Sequence, residues 1–221
     1  MVEQTQNTSV EANENNQTSQ KKDYTVYAQF ALVILLGVMF LYVLKTQGYI
    51  GGNSGTGNVI APSVSASEIM PVGIPRIYGS ELGVSYNDVT SADSGKADKT
   101  ISLLGNLDNT ITLSGKDKER YIGVASKISC EYCCGTDSII FKDGEAACGC
   151  AHSYAMRGLA KYLITKHGSE FTDDDILSEM GKWKVLFFPG QHMKKAGVLK
   201  SQNVELNYIN LASNKYRDVE K

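Results

Sequence analysis

CEYCCGTDSIIFKDGEAACGCAH, residues 130–152, carries all five cysteines of a 221-residue chain. Thiols gathered this closely serve one of three ends: holding a metal ion, exchanging electrons, or stapling the chain as disulfides. Which end applies governs how the fold closes around the segment. Written as a pattern it reads C-x2-C-C-G, a turn, then C-x-C-x-H. A turn carrying Cys130 and Cys133 points two sulfurs at one ion. Asp143-Gly144, midway along SIIFKDGEAAC, favours the tight turn of a β-hairpin. The returning chain then delivers Cys148 and Cys150 to the same place. The spacing therefore predicts metal ligation by Cys130, Cys133, Cys148 and Cys150, with Cys134 and His152 as further donors.

After Cys150 the run AHSYAMRGLAKYLITKHG has helical periodicity and closes at Gly168, with His152, Met156, Leu159 and Leu163 on one stripe. Sulfurs at the amino end of that helix feel its unpaired N–H groups and dipole, which favour the thiolate that binds metal. His152 reads equally as a ligand and as a core histidine of the apolar stripe, whereas Met156 reads as core. Four sulfurs, or three with an imidazole, suit zinc or an iron–sulfur cluster, and thiolates near methionine suit Cu(I). The recognised cluster spacings are absent, so zinc (Zn) leads, with an Fe–S cluster or copper (Cu) as alternatives.

Two other readings stand beside the metal. Against disulfide staples, the thiol count is odd, and a bridge between the neighbours Cys133 and Cys134 is strained. Loops closed within so short a stretch also gain least from closure. Against thioredoxin-like redox work, C-x-x-C here follows a helical pattern and not the strand of a βαβ unit.

The flanking sequence predicts helices over Lys96–Asn109 and Lys116–Ile128. Thr172 with Asp175 forms a capping box, with Asp173 and Asp174 suiting the positive end of the next helix. Ile176, Met180, Trp183 and Phe187 give that helix a buried face, and Pro189-Gly190 stops it. His167, beside Gly168, is expected to cap carbonyls, and Glu131 and His192 are expected at the surface. Residues 71–200 so read as a Cys-rich, mainly α domain with one β-hairpin, followed by a polar C-terminal tail over 201–221. About 130 residues suffice for a core that folds alone.

The amino-terminal part differs in composition. Residues 1–23 are polar and too poor in apolar side chains to fold. YTVYAQFALVILLGVMFLYVL, residues 24–44, holds no charge and has the roughly 20 residues that cross a bilayer core. Tyr24, Tyr27, Tyr42 and Tyr49 lie near its ends, and no small-x-small cleavage site follows it. The expectation is a transmembrane helix over 24–45 serving as an uncleaved signal-anchor in membrane lipid, with a Gly/Ser-rich linker over 46–70. Lys21 and Lys22 against Lys45 place the C-terminal domain on the extracytoplasmic side of a single-pass membrane protein.

A net charge of −2 gives no reason to expect nucleic acid, which needs a concentrated basic surface. No Gly-x-Ser-x-Gly, Walker or His-Glu-x-x-His motif is present, so no catalytic residue is nominated.

The order of knuckle, hairpin and ligands at a helix start resembles a treble-clef zinc finger over about forty residues. It departs from that pattern in its C-x-C second pair and in the extra Cys134 and His152. CEYCCG followed by CGCAHSYAMRGLAKYL is also similar to archaeal single-span membrane proteins over residues 71–190, which implies an anchor plus a Cys-rich domain and brings no activity. The functional expectation is a membrane-anchored, zinc-binding, non-catalytic interaction module with a protein partner yet to be identified. The alternatives are a thiol redox or soft-metal transfer protein and a disulfide-stapled extracytoplasmic structural protein.

Overall fold

The computed structural model describes residues 24–46 and 63–221. The polar tail over 1–23 and most of the expected linker, 47–62, lie outside the described residues. The chain divides into two units, residues 1–58 and 59–221.

In the first unit, residues Tyr24–Thr46 form helix α1. Its described apolar side chains, from Phe30 to Phe40, are more than half exposed. Among the described residues no helix is long and apolar enough to cross a membrane. This overturns the expected transmembrane helix, and with it the single-pass, signal-anchored, extracytoplasmic localisation.

The second unit is helical: α2 (Ala66–Ile69), α3 (Gly79–Leu82), α4 (Ser94–Thr110), α5 (Gly115–Ala125), α6 (Ala151–His167), α7 (Asp173–Phe187), α8 (Pro189–Ser201) and α9 (Tyr208–Ala212), with short 3-10 turns at Tyr86–Asp88 and Asn214–Tyr216. The mainly α expectation holds. The expected β-hairpin does not: among the described residues there are only isolated bridges, Ile128 to Ser213, Cys130 to Thr136 and Ile140 to Ala146. The Asp143-Gly144 turn itself forms. Gly144 takes φ of 87°, and the Phe141 amide reaches the Glu145 carbonyl at 2.7 Å. Pairing goes no further than the Ile140–Ala146 bridge and the Ala147 amide donating to the Ile139 carbonyl at 3.1 Å. Arg157 Nη1 crosses this end of the loop, donating to the carbonyls of Cys148 (2.8 Å) and Ile139 (3.3 Å).

Helix α6 runs through the middle of the core, with Ala155, Met156, Leu159, Ala160 and Leu163 all buried. It crosses α4 at glycines. A Cβ on Gly158 would stand 2.0 Å from the Leu104 carbonyl oxygen, and one on Gly105 would meet Tyr154 Cβ at 3.3 Å. This close approach seats Asp108 of α4 between Arg157 Nε and Lys161 Nζ, both at 2.7 Å. On α7, the Thr172–Asp175 capping box closes as expected, with the Asp175 amide donating to Thr172 Oγ1 at 3.2 Å. Ile176, Met180 and Trp183 are fully buried, and Pro189 opens α8 at the position where its missing N–H costs nothing. His167 does something other than cap carbonyls: Nδ1 lies 2.7 Å from Glu170 and Nε2 lies 3.0 Å from Glu81.

Candidate metal centre

Helix α5 ends at Ala125, and the chain reaches Cys130 after Ile128 has bridged to Ser213. The Cys130 carbonyl then gathers the amides of Cys133, Cys134 and Gly135 at 3.4, 3.2 and 3.0 Å. Gly135 completes this turn at φ of 68°, a left-handed conformation that glycine adopts without strain. At the far end of the loop Cys150 is the N-cap of α6, its sulfur accepting the Ser153 amide at 3.4 Å.

The sulfurs of Cys130, Cys134, Cys148 and Cys150 all lie within 4.8 Å of one another. This group could hold a metal ion. Four thiolates around an ion at about 2.3 Å stand about 3.8 Å apart in a tetrahedron, which the cluster accommodates. Cys134 and Cys148 are joined by a disulfide, while Cys130, Cys133 and Cys150 are free. Four-thiolate ligation therefore requires a prior two-electron reduction of that bridge. Of the donors nominated from spacing, the structure brings together Cys130, Cys148 and Cys150 from the leading four, and Cys134 from the two further donors. Cys133 is exposed outside the group, and the His152 ring packs instead on Phe187 and Phe188 at 4.8 and 4.9 Å between centroids.

Cys130 and Cys150 stand 3.2 Å apart. The bond from Cys130 lowers the Cys150 thiol, assisted against burial by His152, Ser153 and the helix start. The same bond, with burial, raises Cys130.

A buried polar cluster backs the cysteine turn. Glu131 is fully buried, and its Oε1 accepts from Lys184 Nζ and Lys195 Nζ, each at 2.8 Å, with both lysines also sealed from solvent. Burial pushes the Glu131 carboxyl up, but the two ammonium groups outweigh it and hold the group below its usual range. Tyr132 lies beneath both cations, at 5.6 and 5.5 Å from its ring centre, and edge-on to His192 at 5.3 Å. His192 Nδ1 donates to the Phe188 carbonyl at 2.9 Å. Burial first, then Lys184 and Lys195, push it down to about 3. From the chain's last residues, Arg217 Nη2 donates to the Gly135 carbonyl at 2.6 Å, Nη1 pairs with Asp137, and the Asp218 amide donates to Glu131 Oε2 at 3.2 Å.

Glu131 and His192 are thus buried and not at the surface, and the two lysines were not nominated from the sequence. A signal existed for the lysines. Lys184 follows Ile176 and Met180 at intervals of four, and Lys195 lies between His192 and Leu199 at helical spacing, so each occupies the inward stripe of its helix. Compared with family models, with curated proteins and with solved structures, the chain finds no match.

Proposed function

We propose that residues 63–221 form a zinc-binding, non-catalytic interaction module in which Cys130, Cys134, Cys148 and Cys150 hold the ion in their reduced form. The observation that carries this reading is the convergence of four sulfurs within 4.8 Å. An all-sulfur donor set favours a borderline-soft ion, and four donors close the shell as structural zinc sites do. The partly buried setting of two donors and the N-cap position of a third keep these thiolates in fixed directions. One observation favours a second reading, thiol exchange or soft-metal transfer: the Cys134–Cys148 bridge lies beside the free, exposed Cys133.

The test uses the full chain purified in two states, reduced under anaerobic conditions and oxidised in air. Metal content is measured by elemental analysis, and free thiols are alkylated before and after denaturation. The zinc reading expects about one zinc per reduced chain, four thiols protected until denaturation with the exposed Cys133 alone reacting in the folded state, and no zinc in the oxidised chain, where three thiols remain free. A reduced chain without metal refutes the site. Iron or copper in place of zinc, or more than one thiol reacting at once in the reduced, folded chain, transfers the protein to the exchange and transfer reading.

A further inference from the structure

We infer that Cys130 and Cys150 are a redox-active dithiol that exchanges with the Cys134–Cys148 bridge and passes two electrons through it to an external disulfide of the small-thiol class. The inference rests on the thiol-exchange reading and concerns the oxidised, metal-free chain, so it stands whether or not the reduced chain binds zinc.

The geometry supplies both halves of the reaction. The Cys134–Cys148 disulfide and the free thiols of Cys130 and Cys150 form one group, with every sulfur within 4.8 Å of the others. The two free sulfurs stand 3.2 Å apart, about 1.2 Å longer than a disulfide bond. Each is held from its own side of the loop. Cys130 is fixed by the three amides on its carbonyl, and Cys150 is the N-cap of α6. The pair meets without unfolding either element, and the neighbouring bridge is within reach of both. Exposure divides the roles: Cys130 and Cys148 are buried, whereas Cys134 is exposed.

Exchange runs by attack of a thiolate on a disulfide sulfur through a mixed disulfide. Cys150, whose sulfur accepts the Ser153 amide at 3.4 Å, gives up its proton and attacks Cys148. The Cys148–Cys150 bond forms, the Cys134–Cys148 bond breaks, and the electron pair leaves on Cys134, where water solvates the charge. Cys130 then gives up its proton and attacks Cys150. The Cys130–Cys150 bond forms, the Cys148–Cys150 bond breaks, and the two protons end on Cys134 and Cys148. To this point no electron has entered or left the chain. Cys134 next attacks the external disulfide and releases one small thiol. Cys148 attacks Cys134, releases the second and restores the original bridge. The net change oxidises Cys130 and Cys150 to a disulfide and reduces the external disulfide to two thiols.

Cys133 lies outside the group, so its removal simplifies the test. Full-length Cys133→Ser, oxidised in air and treated with a chelator, keeps the bridge and two of the three free thiols, Cys130 and Cys150. It is held at about pH 8, where thiols are partly ionised, then quenched with acid, digested with pepsin and mapped by mass spectrometry. Both isomers are expected, Cys134–Cys148 and Cys130–Cys150. Glutathione disulfide should then take the free thiols from two to none, with both bridges present and no glutathione attached. Removing the bridge as well, in Cys133→Ser/Cys134→Ser/Cys148→Ser checked for folding by circular dichroism, should slow oxidation of the dithiol about tenfold or more. Detection of Cys134–Cys148 alone throughout, or an equal rate without the bridge, would overturn the inference. A stable glutathione adduct in place of the second bridge would overturn the relay and leave simple thiol exchange standing, whereas no thiol of the unsubstituted chain reacting would end both.

Discussion

Replacing Glu131 by Gln tests the most concentrated piece of electrostatics in the molecule. The carboxylate accepts from two ammonium groups at 2.8 Å, and all three side chains have 0% exposure. The amide is nearly the same shape but carries no charge, so two cations lose their shared counter-ion at once. The nearest substitute is Glu220, at 3.7 Å from Lys195. Removing one partner of a buried pair costs about 3–5 kcal/mol, because the survivor remains buried and uncompensated. Lys184→Met is the informative control. It leaves Glu131 with Lys195 and the Asp218 amide, so its cost should stay at about 1–2 kcal/mol. Domains of this size have about 5–15 kcal/mol in total, which makes Glu131→Gln a loss of roughly a fifth or more. Urea denaturation of the reduced full chain followed by tryptophan fluorescence gives both numbers, since Trp183 adjoins Lys184 in the core. At a slope of about 2 kcal/mol per molar urea, the midpoint falls by about 2 M for Glu131→Gln. A shift below about 1 kcal/mol, or Lys184→Met costing more than Glu131→Gln, would refute the reasoning.

Gly158→Ala should destabilise the domain by about 2 kcal/mol or more, the overpacking at the Leu104 carbonyl exceeding the gain in helix propensity; an unchanged melting temperature would mean α4 and α6 are not in such contact. In the reduced chain, Cys134→Ser should lose zinc while Cys133→Ser retains it, read by elemental analysis, and the reverse outcome would put Cys133 in the shell. Below pH 6.5 the unfolded chain protonates His192, but the folded chain, holding it at about 3 among Lys184, Lys195, Glu131 and Tyr132, does not. Stability should therefore fall with pH across that window, by about 2 kcal/mol at pH 5, and His192→Gln should flatten that slope in urea titrations. His167 acts with the opposite sign: Glu170 and Glu81 raise it, so its contribution is complete below pH 6.5 and fades as pH rises through the folded value, a loss that His167→Gln should remove.

What could be read from the sequence was local. The Thr172–Asp175 box, Pro189 at the start of α8 and the Asp143-Gly144 turn each depend on residues within one or two turns of one another, and all three formed. Around that last turn the pairing is confined to one bridge and two backbone bonds, too few to make strands. Glu131 was misplaced for a distant reason: its partners lie 53 and 64 residues further along, and no spacing rule reaches that far. His167 likewise finds Glu81 at a separation of 86. At the cysteines, the C-x-x-C pattern signalled a knuckle, yet the direction of each sulfur follows from the three amides converging on the Cys130 carbonyl and from the left-handed Gly135. The membrane expectation rested on a charge-free run of side chains, but among the described residues no helix is long and apolar enough to cross a membrane.

The hold of Arg217 and Asp218 on the cysteine turn has a consequence for how the protein is made. Asp218 lies 87 residues beyond Glu131, and at about 10 residues per second it leaves the ribosome about 9 s later. Early in that interval Cys130, Cys133 and Cys134 are already synthesised, while Lys184 and Lys195, 53 and 64 residues beyond Glu131, are not, and the clasp from Arg217 and Asp218 comes last. The nascent thiols face whatever oxidant or ion is nearby before the structure can choose for them. Correct loading is therefore decided after synthesis of the clasp, and a cell that limits early oxidation during those seconds should give the higher yield of metal-competent protein.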